Sequence, residues 1–206
     1  MIFLTSAGIF DVKDDVWQFF PKPLSKLRVA HIITAAKPEK DISYLENERR
    51  ELLAAGFLVE DVDIEGKKEN ELKKILTDKD IIYVQGGNTF YLLKCIKESG
   101  FEKVAREMLE RGAIYIGVSA GSYVACPTIE MAEWKHQDKN FVGLIDLTAM
   151  NLVPFLVVAH YRPEYRELIK RGMEEAKYPV RILTDDQAIL VKDGEIRLLG
   201  GEEIKI

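Results

Sequence analysis

The sequence predicts an α/β protein in which a mostly parallel β-sheet lies between layers of helices. Two observations indicate this fold class. Short apolar runs rich in β-branched residues alternate with longer amphipathic segments along most of the 206-residue chain, and two of these runs end in glycine-rich turns. Strands that alternate with helices require crossover connections, which produce parallel strand pairs with helices on both faces of the sheet.

The period of the apolar residues places the individual elements in the first 126 residues. The predicted strands are 2–5, 29–34, 57–62, 80–84 and 113–118. The predicted helices are 42–55, 69–76, a stretch that begins near Asn88, and a helix that starts within 122–126. In the first of these helices Leu45, Leu52 and Leu53 lie on one face.

The carboxyl-terminal part of the chain has shorter elements. An apolar run covers 154–160 and a charged helical segment covers 164–176. Turns such as the one at 192–194 separate the short runs that follow, which predicts a small antiparallel extension. These runs are 181–183, 188–191, 195–199 and 204–206. Because no linker, repeat or low-complexity segment interrupts the sequence, residues 1–206 are expected to form a single domain.

Composition excludes several classes of protein. With 47% hydrophobic and 31% charged residues, the chain is typical of a water-soluble globule. A net charge of −5 without a basic stripe argues against nucleic acid as a partner. No apolar run could span a membrane and the amino terminus lacks a basic leader, so we expect a cytoplasmic protein. Cys95 and Cys126 lie in apolar helical contexts and are expected to be buried, reduced thiols.

The most informative segment is Gly117-Val118-Ser119-Ala120-Gly121. It follows a predicted strand and leads into a predicted helix, which is the context in which Gly-x-Ser-x-Gly marks a nucleophile. Glycines two residues before and after Ser119 permit a tight turn that exposes its oxygen near the N–H groups of a helix amino terminus. The same pattern also occurs by chance in proteins of other function. The assignment of Ser119 as a nucleophile therefore depends largely on the predicted strand before it and the predicted helix after it.

A second glycine turn, at residues 85–89, follows the predicted strand 80–84. The carboxyl ends of parallel strands share one edge of the sheet, where ligands bind, so this turn and Ser119 can meet there. The alternative is a plain connection with a helix cap. A phosphate-binding loop is excluded because no Gly-Lys-Ser/Thr sequence follows. The candidates are the N–H groups of Gly87 and Ala120 for an oxyanion hole, and Asn88 and Thr89 for substrate contact or capping.

A serine nucleophile needs a general base, and the chain has three histidines. His31 lies within an apolar run, which is typical of a packed strand histidine, and His136 lies in a polar stretch that is expected to be solvated. His160 ends the apolar run 155–159 and is therefore expected at a strand terminus beside Ser119. This position favours His160 as the base.

The base is expected to be oriented by a carboxylate. Asp146 precedes His160 and would match the Ser–Asp–His order of α/β-hydrolases. Asp185 follows the run 180–183 and would sit just past a strand end, which favours it on geometry. The sequence alone leaves the choice open. Two weaker candidates are Asp186 and Glu133.

Taken together, these motifs resemble those of the serine peptidases of the dipeptidase E and cyanophycinase group. The resemblance extends over most of the chain and is densest from residue 80 to 128. Residues 83–93 resemble the family's glycine turn and the helix after it, and 111–121 resemble its nucleophile strand and elbow. Residues 125–128 continue the likeness past the elbow, and 151–160 resemble the family's approach to its histidine.

The resemblance implies a flavodoxin-like, three-layer α/β sandwich related to class I glutamine amidotransferases, with no metal or cofactor. It implies Ser119 as nucleophile, His160 as base, and Asp185 in the place of the family's usual glutamate. The implied substrate is a short peptide, in particular a dipeptide. The aspartyl preference of dipeptidase E needs a cation, for which Arg162 and Arg166 are candidates; both also suit a charged surface helix.

Two other interpretations stay open. An amidase or amidotransferase-like enzyme could use the same fold, although such enzymes normally carry cysteine at the elbow. A non-catalytic binding protein could retain the turn at Ser119 but lack hydrolase activity. The expected partner is a small peptide, with no nucleic acid and no membrane, and a homodimer is left open.

Overall fold

The computed structural model describes residues 1–136 and 138–206. Its strands are β1 (Ile2–Thr5), β2 (Arg28–Ile32), β3 (Leu58–Val62), β4 (Ile81–Val84), β5 (Ile114–Val118), β6 (Leu156–Val158), β7 (Val180–Ile182), β8 (Ala188–Lys192) and β9 (Glu195–Leu199). Its α-helices are α1 (Lys13–Val16), α2 (Ser43–Ala54), α3 (Glu69–Leu76), α4 (Thr89–Ser99), α5 (Phe101–Glu110), α6 (Ala120–Tyr123), α7 (Met131–Trp134) and α8 (Arg166–Glu175). Short 3₁₀ turns occupy Phe10–Val12, Trp17–Phe19, Leu24–Lys26, Thr34–Ala36 and Pro163–Tyr165.

The main sheet has the strand order β3-β2-β4-β5-β1-β8-β9. The first five strands of the chain pair in parallel, and β8 and β9 extend the sheet in antiparallel fashion beyond β1. The order of the parallel strands is that of a flavodoxin-like sheet, with the amino-terminal strand β1 in the place of the last parallel strand, next to β8. The predicted fold class, a mostly parallel α/β sandwich with antiparallel strands near the carboxyl end, is confirmed.

Two details of the carboxyl-terminal prediction were wrong. Strand β7 does not join the antiparallel extension, but pairs in parallel with β6 in a separate two-stranded sheet. The pairing is parallel because α8 provides the crossover between the two strands. Residues 204–206 form no strand in the described chain. Gly200 and Gly201, with φ of 80° and 128°, turn the chain away as soon as β9 ends.

Both faces of the main sheet are covered, which explains why its central strands are uniformly apolar. Every residue of β1, β4 and β5 is buried. One core cluster lies under α3, α4 and α5 and includes Leu72, Leu92 and Val104. The other lies under α2 and the aromatic residues of the amino-terminal segment, and includes Leu52 and Phe57.

Further sequence expectations concern single residues and the helices. Cys95 and Cys126 are buried free thiols, as predicted. The helix expected from residue 88 is two helices, since Gly100, with a left-handed φ of 73°, separates α4 from α5. None of the helices among the described residues has the length and apolar character that crossing a membrane requires.

A buried hydroxyl joins β1 to the turn that follows β5. Ser122 Oγ accepts a hydrogen bond from Thr5 N–H at 3.0 Å and lies 2.8 Å from the carbonyl oxygens of both Thr5 and Gly117. Thr5 Oγ1 donates to the same Gly117 oxygen at 3.0 Å. The end of β1 is thereby fixed to the end of β5 by side chains as well as by the strand ladder.

This arrangement predicts the effect of Ser122→Ala on stability. The substitution leaves the buried N–H of Thr5 without its partner, so we expect the free energy of unfolding to fall by about 1–3 kcal/mol in urea titrations. Ser25→Ala, the same change at an exposed residue, is the control and should alter stability by less than about 0.5 kcal/mol. Equal stability of the two variants would contradict the structural role of the Ser122 hydroxyl.

Candidate active site

Ser119 lies at the sharp turn between β5 and α6, at the carboxyl-terminal edge of the main sheet. Its backbone has φ 48° and ψ −106°, a combination that costs energy in a residue with a side chain. The turn is held on both sides, since Ser119 N–H donates to Thr5 O and Tyr123 N–H donates to Ser119 O, each at 3.0 Å. The strained turn directs the side chain of Ser119 away from the sheet.

The tightness of the turn depends on Gly121. A Cβ atom at this position would lie 2.0 Å from the carbonyl oxygen of Val84 in β4, so α6 could not pack against the sheet with any larger residue. The hydroxyl of Tyr115 donates to Gly121 O at 2.7 Å and holds the helix in place. The second glycine of the Gly-x-Ser-x-Gly pattern is therefore required by backbone packing.

His160, which contacts Ser119, and Asp185, which contacts His160, both follow strands of the small sheet. Strands β6 and β7 are parallel, with Val158 opposite Ile182, so the residues that follow them emerge side by side. His160 has a left-handed φ of 55°, and its N–H donates to the hydroxyl of Ser6, which follows β1. The hydrogen bond to Ser6 fixes the histidine backbone relative to the main sheet.

The three side chains form a continuous chain of contacts. His160 Nε2 lies 3.0 Å from Ser119 Oγ, and His160 Nδ1 lies 2.5 Å from Asp185 Oδ1. With Asp185 ionised, Nδ1 carries the imidazole proton and donates it to the carboxylate, which leaves the Nε2 lone pair facing the serine hydroxyl. Burial lowers the pKa of His160, and the Asp185 carboxylate counteracts this shift in part. The arrangement suits transfer of a proton from the hydroxyl to the imidazole.

The second glycine turn lies beside Ser119, as expected. A Cβ atom on Gly86 would lie 3.2 Å from the Cβ of Ser119. Gly87 has φ 137° and lies so close to Ala35 that a Cβ would be 2.2 Å from its carbonyl oxygen, so only glycine fits. No hydrogen-bond acceptor for the N–H of Gly87 is found in the described residues. Gly87 lines the cavity described below together with Ser119, and Ala120 follows Ser119 at the start of α6.

Asp138 braces this turn from the segment after α7. Its carboxylate accepts hydrogen bonds from Asn88 Nδ2 at 2.6 Å and from Thr89 N–H at 2.8 Å. Asn88 Oδ1 in turn accepts the N–H of Tyr91 at 2.9 Å, so Asn88 is the cap of α4. Asn88 and Thr89 were both predicted to contact the substrate. Thr89 lines the cavity described below, whereas the Asn88 side chain uses its Nδ2 and Oδ1 atoms in hydrogen bonds within the protein.

A cavity of about 420 Å³ opens over the edge of the sheet at Ser119. Arg162 and Arg166 are exposed and are not among the described residues that line this cavity. The cavity walls contain ionisable groups from several elements. The acidic and basic side chains among them are Glu39, Glu48, Lys135, Asp138 and His160, and two tyrosines, Tyr44 and Tyr123, also line the wall.

Two of these groups, Glu48 and Lys135, are buried, and burial shifts the pKa of each toward its uncharged form. Burial raises the pKa of Glu48 to about 7, and Tyr83 OH donates a hydrogen bond to its carboxylate. Lys135 is 7% exposed, and burial lowers the pKa of its ammonium group to about 8. Glu48 reaches the cavity from α2 on one face of the sheet, and Lys135 from the residue after α7 on the other.

The other residues considered from the sequence lie elsewhere. Asp146 forms an ion pair with Lys97 at 2.6 Å, and this pairing lowers its pKa. His31 is fully buried in β2, with Nδ1 2.9 Å from an Asp61 carboxylate oxygen. The remaining three are not in contact with His160 in the described chain. Asp186 accepts from Thr184, and Glu133 and His136 are exposed.

Sequence reasoning missed four residues that shape this site, namely Ser6, Glu48, Lys135 and Asp138. Ser6 could have been noticed because it follows a predicted strand, like the other residues at this edge. Glu48 and Lys135 occur in segments whose charged residues otherwise face solvent, so their burial gave no signal in the sequence. Asp138 gave none either, because its partner turn lies about 50 residues earlier in the chain.

The sequence of the chain matches a known protein family over almost its whole length. The sequence model described as Peptidase family S51 matches residues 2–199. The chain belongs to this family. The match spans almost the whole sequence, including all three residues of the Ser119–His160–Asp185 contact chain, and membership of family S51 makes the protein a peptidase.

Individual relatives agree with this assignment. An uncharacterized peptidase of Listeria monocytogenes is 33% identical over 95% of this chain and 96% of its own length. A peptidase E of Nostoc sp. is 28% identical over 95% of this chain and 81% of its own length. A crystal structure of a Listeria monocytogenes protein assigned by name to peptidase E has a TM-score of 0.84 and 29% identity, covering 99% of this chain and 98% of that one. This S51 peptidase is thus similar to peptidase E in sequence and in fold.

The lowered pKa of His160 predicts the acid limb of the pH–rate profile. The imidazole must be neutral to accept a proton, and burial favours the neutral form. We therefore expect kcat/KM of this S51 peptidase to fall with decreasing pH through an apparent pKa below the usual histidine value of about 6.5. The profile is measured with a peptide substrate, and thermal unfolding at each pH shows whether the protein stays folded. An acid limb centred above the usual histidine value contradicts the expectation.

The contact between Asp185 and His160 predicts that three aspartate-to-asparagine substitutions will differ in their effect on kcat. Asp185→Asn removes the carboxylate that orients His160, and we expect it to lower kcat by about 10²- to 10⁴-fold. Asp146→Asn and Asp186→Asn change the other two aspartate candidates and should leave kcat close to that of the parent. Loss of activity in the Asp146 variant alone would transfer the role to that residue.

Proposed function

We propose that this S51 peptidase is a serine peptidase that cleaves short peptides, dipeptides in particular, through an acyl-enzyme on Ser119. The observation that carries the proposal is the contact chain from Ser119 Oγ through His160 to Asp185. A hydroxyl, an imidazole and a carboxylate in this order are the groups that acyl transfer requires.

The first half of the proposed reaction forms the acyl-enzyme. His160 Nε2 removes the proton of the Ser119 hydroxyl as the oxygen attacks the scissile carbonyl carbon. In this proposal the negative charge that develops on the carbonyl oxygen is stabilised by the N–H groups of Gly87 and Ala120. The resulting imidazolium is stabilised by Asp185.

The second half releases both products. His160 gives its proton to the nitrogen of the leaving residue, and the carbon–nitrogen bond breaks. A water molecule then loses a proton to His160 and attacks the acyl carbon. The bond between that carbon and Ser119 Oγ breaks, the carboxylic acid product leaves, and His160 returns the proton to Ser119 Oγ. Because burial keeps the imidazole mostly neutral at neutral pH, it is ready to act as a base at the start of each cycle.

The size of the cavity supports a small substrate. A volume of about 420 Å³ falls within the range of roughly 300–1,000 Å³ that is typical of sites for small molecules. An aspartyl preference finds no support from Arg162 or Arg166, because neither is among the described residues of the cavity wall. The substrate class that we propose is therefore short peptides without an assigned aspartyl requirement.

The cysteine-dependent amidase that the sequence left open is not favoured. Cys126 is fully buried, and burial raises the pKa of its thiol to about 12. A thiol with this pKa is almost wholly protonated at neutral pH and is a poor nucleophile. Ser119, by contrast, lines the cavity with its hydroxyl 3.0 Å from His160 Nε2.

The test is amino-acid release from a panel of dipeptides that includes Asp-Leu, Ala-Leu and Leu-Leu. Ser119→Ala removes the nucleophile and should lower kcat by about 10³-fold or more without loss of fold. Ser25→Ala, a change of an exposed serine, is the matched control and should retain the parent rate. Labelling with a fluorophosphonate should modify Ser119 in the parent, as located by mass spectrometry. An active Ser119→Ala variant would exclude the proposed mechanism.

A further inference from the structure

Lys135 is a buried cation in the wall of the cavity that holds Ser119. It follows α7 directly, is 7% exposed, and lines the same space as Ser119 and His160. Its Nζ donates a hydrogen bond to the carbonyl oxygen of Ala159 at 2.6 Å and lies 5.6 Å from the centroid of the Tyr165 ring. An ammonium group has three N–H donors, and the carbonyl oxygen takes one of them.

Among the described residues, Lys135 has no carboxylate in ion-pair contact, which distinguishes it from the enclosed side chain of Lys79. The side chain of Lys79 is 4% exposed and forms ion pairs with both Glu60 and Asp78 at 2.7 Å. No described carboxylate forms an ion pair with Lys135, although Asp185 and Asp138 act on it from a greater distance. A charge held in this way is costly unless a ligand of opposite sign completes its coordination.

The position of Lys135 indicates which part of a substrate it would meet. The carbonyl group of Ala159 belongs to the peptide unit that leads into His160, so the ammonium group lies on the histidine side of Ser119. In the proposed reaction His160 protonates the nitrogen of the leaving residue. In an amino acid the carboxyl carbon is about 2.5 Å from that nitrogen, because only Cα separates them. A free carboxylate on the leaving residue would therefore be close to Lys135.

We propose that Lys135 is the binding site for the free carboxylate of the leaving residue and that it selects peptides ending one residue after the scissile bond. A longer peptide would place an uncharged amide at this position and lose the charge-assisted hydrogen bond. The inference rests on the proposed serine peptidase function and names the feature of the substrate that the site recognises.

The charge distribution in the cavity agrees with this orientation. Glu39 and Glu48 line the cavity from the side of α2, whereas Lys135 lines it from the side of α7. A dipeptide has an ammonium group at one end and a carboxylate at the other. Asp138 also lines the cavity, and its carboxylate is engaged by Asn88 and by the N–H of Thr89, as the Glu48 carboxylate is by Tyr83 OH.

The test compares dipeptides with their carboxyl-terminal amides. For Ala-Leu, Leu-Leu and Asp-Leu, the parent should cleave the acid with a kcat/KM about 10- to 100-fold above that of the amide, since a charge-assisted hydrogen bond is lost. In Lys135→Met this acid-to-amide ratio should fall toward one, and Lys135→Arg should restore part of it. Lys170→Met, at an exposed lysine of α8, should keep the parent ratio.

Two results would overturn the inference. One is a parallel loss of acid and amide cleavage in Lys135→Met, which would mean that Lys135 acts only on His160 through the Ala159 carbonyl. The other is a faster cleavage of Asp-Leu amide than of Ala-Leu amide that disappears in Lys135→Met. That result would mean that Lys135 binds the aspartyl side chain on the acyl side of the scissile bond.

A binding measurement separates this inference from the proposed function. In the Ser119→Ala background, calorimetry should show tighter binding of Leu-Leu than of Leu-Leu amide, and Lys135→Met should remove the difference. If the parent cleaves no peptide but this difference is present, the carboxylate site stands and the peptidase mechanism fails. If acid and amide bind equally, or neither binds, the carboxylate site is wrong whatever the activity.

Discussion

The hydroxyl of Ser122 is the contact on which the geometry of this site depends most directly. It joins the last residue of β1 to the carbonyl of Gly117, two residues before the candidate nucleophile. This link acts together with the hydrogen bonds from Ser119 N–H to Thr5 O and from Tyr123 N–H to Ser119 O, which hold the strained backbone of Ser119. Because Ser122 is wholly buried, the hydrogen bonds do not compete with water, and the turn is held in one conformation.

The site is assembled from two sheets, and three contacts besides the one between Ser119 and His160 hold the end of β6 in place. The N–H of His160 donates to Ser6, the N–H of Ala159 donates to the Tyr123 hydroxyl at 3.2 Å, and the Ala159 carbonyl accepts from Lys135. All three contacts involve the two residues that follow β6. The main sheet thus supplies the nucleophile and the turn beside it, and the small sheet supplies the histidine and the carboxylate.

The residues that sequence reasoning identified share a simple property, which is that each follows an apolar run. Ser119, His160 and Asp185 all come just after a strand, and the carboxyl ends of parallel strands meet at one edge. This rule holds even though His160 and Asp185 follow strands of a second sheet, because that sheet is parallel as well. Periodicity could not reveal the second sheet, since it does not specify which strand a short apolar segment will join.

The residues that sequence reasoning missed depend on contacts between distant segments. Lys135 is buried because Ala159 and Tyr165 surround it, and neither lies near it in sequence. Glu48 occurs in a helix with many exposed charges, and only the packing of α2 over the first residues after β1 covers it. The pattern of a helix predicts which face is apolar but not which charged residue is enclosed.

The strand order leaves β3 and β9 as the two edges of the main sheet, and both are rich in charge. Glu60 and Asp61 lie on β3, and Glu195 and Arg197 lie on β9. A further strand added to either edge would have to remove these groups from water, which is unfavourable for ionised side chains. Charged side chains on edge strands are one of the features that disfavour edge-to-edge strand pairing, so both ends of this sheet carry an obstacle to the addition of another strand.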